Sequence, residues 1–201
     1  MMKQTIRKTI SWVLQGFMAA TALVMAAALA WHYFFGVPCR MEADCRGRGV
    51  EAEALKQWEE TEEGRSMGIR AIAGWRVEEQ EIVSSVSTGR RQRSRVTAVY
   101  GSMDLVLPGK ILDMGYGMDG QEGYCVVTSG LASCLFGSTA VSGECIRAGG
   151  RYFIIGKVVE NQEEMLLIPM DEGSVEYVAA KFETAVGAGE KMRRIMEALD
   201  F

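Results

Sequence analysis

The chain has 201 residues, 48% hydrophobic and 24% charged, with a net charge of −4 at pH 7. That length holds one domain with a sizeable core or two small lobes, and it excludes a long multidomain enzyme. A net negative chain without a broad basic face gives no support for nucleic-acid binding, and a single histidine without paired CxxC spacing argues against a zinc site.

The apolar residues crowd toward the N-terminus. Residues 1–15 carry Lys3, Arg7 and Lys8 and are expected in the cytoplasm. Residues 16–35, GFMAATALVMAAALAWHYFF, hold no formal charge beyond the titratable His32, and about twenty such residues cross a hydrocarbon core of ~30 Å. They predict a transmembrane helix. Trp12 on one side and Trp31, Tyr33 and Phe34 on the other suit an interfacial aromatic belt, and the positive-inside bias sends the remainder out of the cytoplasm. A cleaved signal peptide is the alternative, because Ala28-Leu29-Ala30 resembles a cleavage site, but the apolar run continues beyond it. Residues 36–49 read as a membrane-proximal linker in which Cys39 and Cys45 are a candidate small-loop disulfide. Cys125, Cys134 and Cys145 stand among apolar neighbours, as small core residues do.

An extracytoplasmic α+β domain is expected over 50–201. Residues 50–63 combine helix formers with a narrow apolar side at Val50, Ala54, Leu55 and Trp58, and Gly64 to Gly68 ends that helix. Residues 69–75 and 77–87 are β-prone, 88–94 form a polar turn, and RVTAVY over 95–100 alternates as a half-buried strand does. Residues 101–123 are loop-rich around Leu105–Leu107 and Ile111–Leu112. A buried strand follows over 124–127, and then a helix capped by Thr128 or Ser129 carries Leu131, Ala132, Leu135 and Phe136 to a stop at Gly137. Residues 145–159 form a hairpin turning at Ala148-Gly149-Gly150. Strands over 165–169 and 175–184 precede a helix over 190–199, whose Met192, Ile195, Met196 and Leu199 follow i, i+3, i+4, i+7 spacing.

In that order, the stretch from Tyr124 to Pro169 resembles the MacB-like periplasmic core domain of type VII ABC-transporter permeases, a group with MacB, the FtsX-like permeases and the lipoprotein-releasing permeases. Ala132, Leu135, Phe136 and Gly137 match the family's small residue and Leu-Phe-Gly stop. Val141, Gly143, Ile146, Gly150, Phe153, Ile155, Gly156 and Val158 match the run that follows. The resemblance covers nearly the whole chain and rests on a scaffold signature. It implies a mixed α+β domain, without catalysis of its own, that relays motion between an ATP-hydrolysing subunit inside and substrates or partners outside. Complete permeases carry three further transmembrane helices, which do not follow here, and no GxxxxGK[ST] loop is present to cradle a phosphate. The expectation is therefore a stand-alone subunit or the front of a broken permease.

Arg90, Arg91, Arg93 and Arg95 form the one basic cluster, a candidate contact patch for anionic lipid or an acidic partner on what is otherwise a solvated hairpin loop. The acidic runs at 59–63 and 163–164 read as solvated surface, since neither sits beside a nucleophile. Ser129 lacks a GxSxG elbow, and His32 is the only histidine, so a Ser-His-Asp arrangement has no base. The glycine-rich stretch 115–120 reads as a connection. No enzyme activity, cofactor or metal is expected. The expected partners are the lipid bilayer, an ABC ATPase and a multi-span permease. The alternative is a membrane-anchored sensor or binding module that works without a transporter.

Overall fold

The computed structural model describes Met18, residues 21–28, 38–114 and 123–199. Residues 21–28 are helical and exposed, and the rest of the expected span over 16–35, apart from Met18, lies outside the described residues. Among the described residues no helix is long and apolar enough to cross a membrane.

Among the described residues nine strands form one sheet system: β1 (Cys39–Asp44), β2 (Ile69–Ser85), β3 (Arg91–Gly101), β4 (Ile111–Met114), β5 (Tyr124–Thr128), β6 (Cys145–Ala148), β7 (Arg151–Val159), β8 (Met165–Pro169) and β9 (Tyr177–Phe182). Helices α1 (Ala52–Glu60), α2 (Glu62–Ser66), α3 (Met103–Val106), α4 (Ser129–Phe136) and α5 (Ala188–Leu199) pack on it. The strand order is β1-β9-β2-β3-β8-β5-β7-β4, and β6 bridges β2 and β7. That bridge closes β2-β3-β8-β5-β7-β6 into a small six-stranded barrel. The expected two lobes are thus an open sheet, β1-β9-β2-β3, and a barrel, with β2 and β3 running through both.

The segment 36–49, expected as a linker, supplies the edge strand β1, which pairs antiparallel with β9 from Cys39↔Phe182 to Asp44↔Tyr177. Its alternating burial shows why: Cys39, Met41 and Ala43 face the core while Arg40, Glu42 and Asp44 face solvent. Cys39 and Cys45 therefore stand at opposite ends of an extended strand, about 20 Å apart at ~3.3 Å per residue. Disulfide formation needs Cα atoms within ~7 Å, so the candidate bridge is not made.

The open lobe buries Leu55, Trp58, Ile195, Met196 and Phe182 beneath α1 and α5. The helical segment ends within 64–68 as expected, with Ser66 its last residue and Gly68 at φ 67°, but it is also divided earlier. The break falls at Thr61, whose hydroxyl accepts from Gly64 N–H and opens α2. A Cβ on Gly64 would lie 2.5 Å from the Trp58 carbonyl, so glycine permits the close helix-to-helix step. The barrel lobe buries Val83, Val96, Val127, Ile146, Phe153, Ile155 and Leu166, with Leu131, Ala132 and Leu135 of α4 packed into the same core. The outer face between the lobes is covered by α3 and the residue after it, which bury Met103, Leu105 and Leu107 against Trp75, Val99 and Leu167. The expected loop over 101–123 is thus partly ordered as α3 and β4.

The runs 69–75 and 77–87 join into one 17-residue strand. Its ladder with β3 shifts register between Glu78 and Glu81, where the ribbon passes from one lobe to the other. A bulge bends and twists a strand, as a strand shared by a sheet and a barrel must.

Candidate functional site

Two features stand out where the lobes meet: a cleft and a re-aimed lysine. The cleft holds roughly 350 Å3. Arg76 and Glu78 of β2 form one wall, joined by an ion pair at 3.3 Å. Asp171 and Glu172, just after β8, and Arg151 of β7 complete the rim over a floor of Ala98, Ile168 and Pro169. The Arg151 guanidinium stacks 5.3 Å from the Phe153 ring, over the barrel core. The cleft thus offers both charge signs around an apolar base.

The lysine depends on Gly156. Cys125 pairs with Ile155 and Val126 with Lys157, so Gly156 is skipped as a bulge in β7. The bulge reverses side-chain parity: Phe153 and Ile155 point into the barrel, and after the extra residue so does Val158. Lys157 is thrown to the outer face, where its side chain is 5% exposed and Nζ lies 2.7 Å from Asp104 Oδ1 at the start of α3. This ion pair ties α3 to the barrel wall. Plain alternation through residues 151–159 hides it, and the glycine within the strand is the one signal that could have revealed it.

The remaining scaffold residues serve as their types suggest. Ala132 and Leu135 are buried in the barrel and Phe136 packs at its rim. Thr128 caps α4, its Oγ1 accepting from Leu131 N–H, and Gly137 closes the helix at φ 76°. Gly149 and Gly150 both have positive φ, as a type I′ hairpin turn requires, and Gly143 has φ 90°.

The four arginines are not one patch on a loop. Arg91, Arg93 and Arg95 lie in β3 at alternate positions on its exposed face, because the 88–94 stretch expected as turn is mostly strand. Arg95 pairs with Glu163 at 3.2 Å. Arg90 turns toward the C-terminus of α4, with Nη1 3.7 Å from the Cβ position of Gly137. Arg91 and Arg93 are instead joined by Arg147, since Ser84 is opposite both Arg91 and Arg147 and Ile82 is opposite Arg93. Arg147 also stacks on Tyr152 at 5.7 Å.

Of the acidic positions, Glu164 accepts from Gln92 at 2.6 Å and from the exposed Cys134 thiol. Desolvation and that carboxylate push the Cys134 thiol pKa up, so Cys134 is a surface thiol and not the core residue expected. Cys125 is buried, and burial raises its pKa strongly. Glu59, near the end of α1, is half-buried and accepts from Tyr100 Oη at 2.8 Å. Burial holds its pKa above the ordinary value, against the opposing effect of that hydrogen bond. Among the described residues no three His, Cys, Asp or Glu side chains are grouped to hold a metal ion. The 115–120 stretch and His32 lie outside the described residues.

Two solved structures share this arrangement. One is the extracellular domain of the noncanonical ABC-type transporter YknZ from Gram-positive bacteria, at 13% identity, TM-score 0.58, over 81% of this chain and 90% of that one. The other is the periplasmic region of MacB from Actinobacillus actinomycetemcomitans, at 12% identity, TM-score 0.62, over 84% of this chain and 85% of that one. The chain is similar in fold to these transporter domains. The MacB-like core fold, expected over nearly the whole chain, is thus shared over most of the molecule. No protein-family model and no curated protein matches the chain.

Proposed function

We propose that the chain is an extracytoplasmic contact domain, anchored by residues 16–35, that works within an ABC-transporter assembly by binding and mechanical coupling and not by catalysis. The observation that carries this reading is the shared β2–β3 ribbon, which runs unbroken from the open lobe into the barrel of a MacB-like fold. Strands common to two cores transmit a displacement of one to the other, because packed cores resist deformation. Energy from ATP hydrolysis would come from a separate subunit.

Crosslinking of the full-length protein in its native membrane, followed by mass-spectrometric identification of what it touches, tests the proposal. Recovery of an ABC ATPase or a multi-span permease supports it. Recovery of neither, with the protein crosslinked at high yield to itself or to a ligand, overturns it.

The cleft favours a second reading, an anchored sensor or binding module. A pocket with cations and carboxylates around an apolar floor suits a small zwitterionic or peptide ligand. Charge reversal at Arg76 and Arg151 separates the two: it abolishes ligand capture by a binding module and leaves partner crosslinks of a coupling domain in place.

A further inference from the structure

A second cavity, roughly 430 Å3, opens between β1 and α5 in the open lobe, lined by Met41, Met192 and Met196. Met192 and Met196 are one helical turn apart and so share a face of α5. Met41 lies on the inward face of β1, and Cys45 follows on the same parity just beyond the strand. Cys45 is 1% exposed, and its Sγ lies 3.9 Å from Met196 Sδ. Three methionine thioethers from β1 and α5 thus line one solvent-connected space, whose wall also carries Arg48 and Arg193, and the buried Cys45 thiol lies directly behind Met196. Methionine ordinarily fills irregular gaps, yet here three methionines border a gap that remains open.

We propose that this cluster is a binding site for a soft monovalent cation, Cu(I), with Ag(I) as its redox-inert stand-in. Thiolate and thioether ligands select Cu(I) over harder ions. Metal–sulfur bonds of roughly 2.3 Å subtending 3.9 Å meet at about 116°, an angle suited to trigonal or tetrahedral coordination. The Cys45 thiol loses its proton to solvent on binding, so thiolate and Cu(I) together are neutral, and a neutral pair can be buried at low cost. The carboxylates at the rim do not compete for a hard cation. Asp44 is held by Arg46, which draws its pKa down to about 2, and Glu197 is held by Arg193. The inference is independent of the proposed transporter role.

The test is an anaerobic competition titration of the full-length protein in detergent against a chromophoric Cu(I) chelator. One Cu(I) per chain is expected to leave the chelator, with affinity falling at least tenfold in Cys45→Ala and in Met196→Leu and unchanged in Cys134→Ala. Leucine nearly conserves the methionine volume, and far-UV circular dichroism of each apo variant checks the fold. X-ray absorption at the copper edge of the unmutated protein, expected to show a sulfur-only shell, tests the site without any variant. No withdrawal of Cu(I), a shell of nitrogen or oxygen, or binding lost with Cys134 instead of Cys45 overturns the proposal.

Discussion

The two lobes are built on the same pair of strands, yet they protect their backbones in different ways. The open lobe ends in β1, a short edge strand whose outward positions are Arg40, Glu42 and Asp44. Charges at an edge discourage pairing with a second chain. The barrel lobe uses β6 to bring the end of β2 onto β7, so its wall pairs all round. One lobe therefore relies on helices to cover its core, and the other on closure, with one face of α4 packed against the barrel core. A ribbon common to both makes their stabilities interdependent.

Core truncation should give the largest effect. Phe153 in the barrel and Phe182 in the open lobe are each at most 1% exposed, so Phe→Ala at either costs about 3–5 kcal/mol. Trp58 and Trp75 both lie in the open lobe or beside it. Urea unfolding followed by tryptophan fluorescence should nevertheless shift as far for Phe153→Ala as for Phe182→Ala. A midpoint unmoved by the barrel mutation would mean that the lobes unfold separately.

Gly130→Ala comes next. Alanine normally favours a helix by about 1 kcal/mol over glycine, but a Cβ here would lie 2.3 Å from the Gln162 carbonyl oxygen. We expect a loss of about 2–3 kcal/mol by denaturant titration, and a gain would show that the 161–164 turn yields. Thr128→Ala removes the cap on Leu131 N–H and the bond accepted from Met165 N–H at 3.0 Å, for a cost of about 1–2 kcal/mol, again read from the denaturation midpoint.

The smallest effect concerns pH at the open lobe. Because the folded-state pKa of Glu59 is raised, the native state binds more protons than the unfolded state between the two values. Stability from this group is present below the unfolded pKa and lost as pH rises through the folded one. Glu59→Gln keeps an acceptor for Tyr100 and should flatten that slope in thermal melts across mildly acid pH. An unchanged slope would assign it to another group.

Local periodicity and turn chemistry were sufficient for much of the fold. The capped helix at 129–136 with its Gly137 stop, the hairpin at Gly149–Gly150 and the 3.6-residue spacing of α5 are each decided by neighbours within one or two turns. The functional surfaces were far less legible. The clustering of arginines in sequence concealed their separation, since Arg95 turns to Glu163 while Arg147, more than fifty residues along the chain from Arg91, joins it across Ser84.

What the sequence by itself determined is the order of the elements and the glycines and caps that end them, because those depend on backbone sterics and on hydrogen bonds between close neighbours. Only the tertiary structure decided that residues 39–44 form an edge strand and that β6 closes a barrel. It also decided that Cys45 meets Met196 from 151 positions away. Pairing between distant strands depends on which apolar faces bury one another, and no local pattern records that choice.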